Sequence, residues 1–228
     1  STMGCNFRCR GCVSENLTAG METISGGLQH ISADDVVKKA VDEKCLGIVF
    51  CLNDPVVSLN TFASVAAKAR EKGLYAGCST NCYFTEEALE KLTACLDFIN
   101  IGFKGFTDES YRLCGAPGIN PVLRNIKKIH SKGIHIEASV MYGKGRDDEI
   151  LNLAGHIAAI SPDIPFQIMR FVPFGDASID DETTIYESEL LCDRIREFLP
   201  YTYLFNSPGT DRLNTVCPNC GEIIAERE

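Results

Sequence analysis

Six short apolar runs alternate with six amphipathic segments between Ser32 and Phe205, and this alternation restricts the chain to folds that bury parallel strands under helices. The apolar runs are Gly47–Cys51, Leu74–Ser79, Phe98–Phe103, Ile134–Met141, Pro165–Phe171 and Tyr201–Phe205. Several are near-continuous hydrophobic stretches, as strands buried on both faces tend to be. The segments between them, Ser32–Lys44, Leu59–Lys72, Thr85–Cys95, Pro121–Lys132, Asp147–Ile160 and Glu187–Leu199, carry helical periodicity. Ser32 and Thr85 each precede a pair of acids, which offers an N-cap with negative charge in the first turn. Gly73 and Gly133 each follow a lysine and close a helix. Repeated βα units predict an α/β fold, doubly wound or curved into a barrel, and periodicity does not choose between them.

The chain has 228 residues, enough for one sizeable domain with at most a small appendage. Its net charge of −9 argues against nucleic acid as a partner. No apolar run reaches the roughly 18 residues that cross a bilayer, and no signal-peptide pattern opens the chain. The expectation is a soluble, cytoplasmic protein without a membrane partner. Its twelve cysteines then read as thiols rather than disulfides. Cys45, Cys51 and Cys78 lie in or beside apolar runs and are expected in the core. Two groups are spaced as ligands: Cys5/Cys9/Cys12 and Cys217/Cys220.

Cys5, Cys9 and Cys12 form a C-x3-C-x2-C run. Three thiolates at this spacing can hold three irons of a [4Fe–4S] cube, and no fourth cysteine follows closely. The fourth iron is then open to a ligand, as a catalytic zinc keeps one position free. An electron-transfer protein would need that fourth thiolate. A non-catalytic iron–sulfur or zinc scaffold also remains open on these residues alone.

The loop Ser1-Thr-Met-Gly-Cys5-Asn-Phe-Arg-Cys9-Arg-Gly-Cys12 resembles the cluster loop of radical S-adenosylmethionine (SAM) enzymes, especially the glycyl-radical-activase-like branch. Further matches are Asn53-Asp54-Pro55, Ser79-Thr80-Asn81, Phe103-Lys104-Gly105-Phe106 with Tyr111 and Cys114-Gly115, Arg170-Phe171-Val172-Pro173-Phe174, and the tail from Asn214 to Gly221. The pattern resembles the radical SAM protein that accompanies Memo-like and AMMECR-type proteins. The resemblance implies a partial (β/α)6 TIM-like barrel with the cluster at the C-terminal mouth of the strands. The chain opens at Ser1 already inside the loop, so a first strand leading into it is expected to be missing. The division is then a radical SAM core over 1–206 and a tail over 207–228. The implied reaction is reductive cleavage of SAM to a 5′-deoxyadenosyl radical, which takes hydrogen from a protein, peptide or small-molecule substrate. An electron donor such as flavodoxin or ferredoxin is implied as a partner.

The same resemblance assigns expected roles. Asn53 and Asp54 stand where many relatives have Gly-Gly-Glu-Pro, which puts Asp54 near the SAM ammonium; the plain alternative is a turn ending a strand. Ser79 and Asn81 end the next strand and are expected at the ribose or methionine moiety. Lys104 is a candidate ligand for a carboxylate, although the activase branch carries Asp-x-Lys and this chain reads Gly102-Phe103-Lys104. Alternation places His135, Glu137 and Ser139 on one strand face, the inside of a barrel, as a polar site or a hydrogen-bonded layer. Arg170 is either a bidentate carboxylate ligand or half of a structural ion pair. His30, His130 and His156 have no ligand spacing. Gly11 replaces the aromatic residue that often precedes the third cysteine, and Cys12-Val-Ser-Glu-Asn replaces the usual Cys-Gln-Asn.

Cys217-Pro-Asn-Cys220-Gly looks like one knuckle of a zinc ribbon, which supplies two of the four ligands a closed site needs. A plain thiol pair, a structural metal site and a redox or second-cluster site all remain open here.

Overall fold

All six apolar runs form strands and all six amphipathic segments form helices. The computed structural model describes residues 2–9, 11–18, 29–173 and 178–227; Ser1, Arg10 and Phe174 of the sequence motifs lie outside these. In chain order the elements are α1 (Glu15–Thr18), α2 (Ala33–Asp42), β1 (Gly47–Phe50), α3 (Leu59–Glu71), β2 (Tyr75–Thr80) and α4 (Glu86–Thr93). Then come β3 (Phe98–Phe103), α5 (Asp108–Arg112), α6 (Asn120–Ser131), β4 (His135–Tyr142), α7 (Asp147–Ile160) and β5 (Phe166–Arg170). The chain ends with α8 (Ile185–Arg196), β6 (Thr202–Phe205), β7 (Thr215–Val216) and β8 (Ile223–Ala225).

Strands β1 to β6 follow one another in sequence order in a six-strand parallel sheet. A doubly wound sheet reverses its strand order at a switch point; this one does not. The topology is therefore that of a partial (β/α)6 barrel, and the choice that periodicity left open is made. The chain divides into two compact units, residues 1–102 with 112–136, and residues 103–111 with 137–228.

In the first unit, α2 and α3 cover β1 and β2. Val37, Ala40, Val65, Ala69 and Leu74 form the core there, with Ile48 and Phe50 packed against it. Phe50 meets Phe62 edge-on at 4.9 Å between ring centres, a contact worth about 0.5–1.5 kcal/mol beyond area burial. Both expected caps are present: Ser32 accepts from the Asp35 amide and Thr85 from the Ala88 amide. Lys68 of α3 pairs with Asp34 of α2.

In the second unit, α8 packs on β5, β6 and α7. Ile150, Leu153, Ile157, Phe166, Ile168, Leu191, Ile195 and Leu204 are buried. Thr184 and Glu187 close a reciprocal capping box at the start of α8. Along β4, Ile136, Ala138 and Val140 are buried while His135, Glu137 and Ser139 are more open, as alternation predicts.

Cys78 is buried as expected, but Cys45 and Cys51 are exposed. The cause is local: β1 covers only Gly47–Phe50, so both cysteines fall just outside it, and the strand itself is no more than half-buried. Among the described residues no helix is long and apolar enough to cross a membrane.

Candidate functional site

The loop of the first unit that carries the three cysteines is held at several points. Gly4 donates its amide to the Leu17 carbonyl at 2.8 Å, and Arg8 donates its amide to the Cys114 carbonyl at 2.8 Å. Phe7, 3% exposed, anchors the loop and lies 5.2 Å from the Tyr83 ring. Gly11 has φ +69°, so the residue before the third cysteine sits in the left-handed region that glycine favours.

Cys5, Cys9 and Cys12 are half-buried, and none is in a disulfide. The Cys5 sulfur accepts from the Phe7 amide at 3.4 Å and from Asn81 Nδ2 at 3.7 Å. Thr18 Oγ1 donates to the Cys12 sulfur at 3.9 Å. These N–H and O–H donors can hydrogen-bond a sulfur that is also bound to iron. Among the described residues no three His, Cys, Asp or Glu side chains gather as a single ion would need. A cube asks for something else, because each of its cysteines binds a different iron. Three half-buried thiols with donors at two sulfurs fit such a group, and Cys5, Cys9 and Cys12 are the residues that would hold it.

Two further sequence motifs meet this loop within the first unit. Asn53, 7% exposed, donates Nδ2 to Thr2 Oγ1 at 2.9 Å and to the Gly4 carbonyl at 3.1 Å. Asp54, 4% exposed, accepts the Thr80 hydroxyl and the Asn81 amide at 2.8 Å each, and the Val56 amide at 3.0 Å. The Asn81 side chain donates to Asn6 Oδ1 at 2.7 Å as well as to Cys5. A chain of hydrogen bonds therefore runs from Asp54 through Asn81 to a cysteine. Three donors reach the Asp54 oxygens, so its carboxylate sets the shape of the two loops. Ser79 Oγ lies 3.5 Å from Asn100 Oδ1 on the neighbouring strand.

Leu52 has φ +78° and is 61% exposed. A branched side chain rarely adopts that conformation.

The second unit holds the other candidates. Lys104 is half-buried and its carbonyl accepts from Arg146 at 3.3 Å. Glu137 accepts from Gln167 Nε2 at 2.7 Å on the neighbouring strand. Arg170 is 8% exposed; it pairs with Glu182 at 2.6 Å and donates to the Asn206 and Thr183 carbonyls, each at 2.9 Å. The tail forms an antiparallel hairpin of β7 and β8, with Cys217 half-buried and Cys220 exposed. Backbone amides of Cys220 and Asn219 pull the Cys217 thiol below its ordinary value.

Asn6, Asn100 and Gln167 were not singled out from the sequence. Asn100 and Gln167 sit out of phase with the buried residues of β3 and β5, so alternation within each apolar run could have found them. Asn6 carries no such signal.

A family model for the radical SAM superfamily matches residues 1–156, more than half of the chain. An uncharacterized protein of Methanocaldococcus jannaschii is 29% identical over 229 residues, covering 98% of this chain and 68% of that protein. A domain of the pyruvate-formate lyase-activating enzyme from Bacteroides vulgatus aligns with a TM-score of 0.56 at 15% identity, over 69% of this chain and 98% of that domain. Streptococcus suis SuiB bound to S-adenosylmethionine gives 0.64 at 14% identity, over 89% of this chain and 45% of SuiB. SuiB bound to precursor peptide SuiA gives 0.67 at 14% identity, over 89% of this chain and 47% of SuiB. At these identities the structural likeness is one of fold, and the chain spans less than half of SuiB.

Proposed function

This chain belongs to the radical SAM superfamily, and we propose that it cleaves SAM reductively at a [4Fe–4S] cluster held by Cys5, Cys9 and Cys12. Held by these three cysteines, a reduced [4Fe–4S] cluster would supply the one electron needed to cleave the S–C5′ bond of SAM to methionine and a 5′-deoxyadenosyl radical, which would take a hydrogen atom from substrate. The observation that carries this reading is the convergence on Cys5 of the cysteine loop and the loops after β1 and β2, joined through Asp54 and Asn81. Asn53 fixes the lead into the cysteine loop, and Asp54 fixes the turn that presents Asn81. Ser79 and Asn81 offer polar groups to the methionine or ribose of SAM. In the second unit, Lys104 and Glu137 are the side chains available to a substrate, while Arg170 keeps its ion pair.

The reaction we favour is glycyl-radical-activase-like, on a polypeptide substrate. Its support is the likeness of fold to the pyruvate-formate lyase-activating enzyme domain and to SuiB bound to a precursor peptide. Flavodoxin or ferredoxin is the electron donor of choice, and the cytoplasm, where thiols stay reduced, is the fitting compartment.

The test is electron paramagnetic resonance of the anaerobically reconstituted, reduced protein with and without SAM, alongside chromatography for 5′-deoxyadenosine. We expect a [4Fe–4S]+ signal that changes on SAM addition, and 5′-deoxyadenosine that disappears in the Cys5→Ala, Cys9→Ala and Cys12→Ala variants. Cleavage retained by any of these variants sinks the assignment. An intact cluster indifferent to SAM points to a non-catalytic scaffold instead.

A further inference from the structure

The hairpin that ends the described chain is too small to hold itself. Strand β7 has two residues and β8 has three, and a hairpin of that length is marginal in water without a further staple. Its apolar residues do not supply one: Ile223 is 57% exposed and Ile224 is 64% exposed. Yet its turn is highly specified. The Cys217 amide donates to the Glu222 carbonyl at 2.8 Å, and the Gly221 amide returns to the Cys217 carbonyl at 2.9 Å. Gly221 has φ +76°, which lets the chain reverse directly after the second cysteine.

Inside that turn the two thiols face one another. The amides of Asn219 and Cys220 donate to the Cys217 sulfur, and the Cys220 thiol reaches the same atom. Backbone amides pointing at sulfur compensate the charge of a thiolate that binds a metal. The base of the hairpin is also fixed. Tyr203 meets Thr215 at 3.1 Å between hydroxyls, Arg227 lies 5.3 Å over the Tyr203 ring, and the Arg227 amide donates to Asn214 at 2.8 Å. The thiol pair is thus presented on a firm mount, with Cys220 open to solvent.

We infer that Cys217 and Cys220 are two thiolate ligands of a structural zinc site that staples this hairpin. Zinc takes four ligands in closed tetrahedral sites, commonly cysteine sulfur, and repays binding as folding free energy. Among the described residues no third His, Cys, Asp or Glu joins the pair, so the knuckle is half of the coordination shell. The other two ligands would come from a second pair of donors, which the exposure of Cys220 leaves room for. Binding releases the two thiol protons to solvent, and no electron is exchanged.

The experiment measures zinc and iron together in the full chain after cluster reconstitution, for the wild type and for a Cys217→Ser/Cys220→Ser variant, following equilibration with Zn2+ and a weak chelator. The expected result is about one zinc per one or two chains in the wild type, lost in the variant, with iron unchanged in both. The zinc-to-chain ratio then tells whether the second donor pair comes from the same chain or from a second copy. A variant that fails to fold would lose iron as well, so a second measurement uses the wild type alone. There, Zn2+ should protect Cys217 and Cys220 from alkylation, read by peptide mass spectrometry. Zinc absent from the wild type, zinc retained by the variant, iron lost in place of zinc by a folded variant, or alkylation indifferent to Zn2+ each overturns the inference.

Discussion

Asn81 places its Nδ2 3.7 Å from the sulfur of Cys5 while the same amide group donates to Asn6 at 2.7 Å. A donor held against a cluster sulfur stabilises the reduced, more negative state and raises the reduction potential. Asn81→Ala removes one such bond. We expect the potential to fall by about 20–65 mV, the one-electron equivalent of a net hydrogen bond of about 0.5–1.5 kcal/mol. A redox titration of the cluster signal without SAM measures it. An unchanged potential would show that the amide serves only the loop.

The alternation of apolar and amphipathic segments made the six strands and six main helices legible, because helices pack on the strands and several strands read as near-continuous apolar runs. It missed α1, α5 and the β7–β8 hairpin, each five residues or fewer and too short to carry a period. Spacing and strand ends mark Cys5, Cys9, Cys12 and Asn81 in the sequence, and the structure brings Asn81 to the Cys5 sulfur. What stayed hidden was how polar side chains spend their bonds. Nothing in Asn-Asp-Pro says that Asp54 turns toward Thr80 and Asn81, and nothing near Arg170 announces Glu182, 12 residues on.

Leu52→Gly should stabilise the chain. The left-handed backbone at φ +78° costs a non-glycine residue about 1–2 kcal/mol, while glycine gives back about 0.5–1 kcal/mol through greater unfolded-state entropy. Because the side chain is mostly exposed, little burial is lost. The net gain is about 0.5–1 kcal/mol, a rise in Tm of roughly 1–4 °C. A lower Tm would mean that the Leu52 side chain makes a contribution its exposure does not reveal.

Removing the partner of Arg170 separates its two roles. Glu182→Gln leaves a guanidinium that is 10% exposed bonded only to carbonyl oxygens, with its charge uncompensated. Breaking such a pair costs about 1–3 kcal/mol, discounted because Glu182 is partly open to water. Denaturant unfolding should show that loss while SAM affinity stays near the wild-type value. A large fall in SAM affinity with stability intact would assign Arg170 to the ligand.

The capping box of α8 gives a pH dependence with a definite sign. The Thr184 backbone amide, and then its hydroxyl, hold the Glu187 carboxyl below the usual carboxylate range. A group lowered in the folded state contributes stability above its unfolded value, near about 4.3, and that contribution is lost as pH falls through the folded value. Glu187→Gln keeps a side chain that can accept from the amide but removes the charge. The Tm gap between the cluster-free wild type and the variant should therefore be full near about pH 6 and shrink below about pH 4. A gap that persists in acid would trace to packing rather than charge.

Gly11 separates backbone strain from crowding immediately before Cys12. No atom lies within 4 Å of the place a Cβ would occupy, yet φ is +69°. The objection to a side chain is therefore conformational, and its cost should follow tolerance of the left-handed region. Asparagine tolerates that region, alanine pays about 1 kcal/mol, and a β-branched residue pays more. Iron content after reconstitution should accordingly fall in the order Gly11→Asn, Gly11→Ala, Gly11→Val. If all three bind iron equally, the loop reaches its cluster-binding form through a different backbone at residue 11. The reverse order, with valine best, would mean that hydrophobic cover of the cluster outweighs strain.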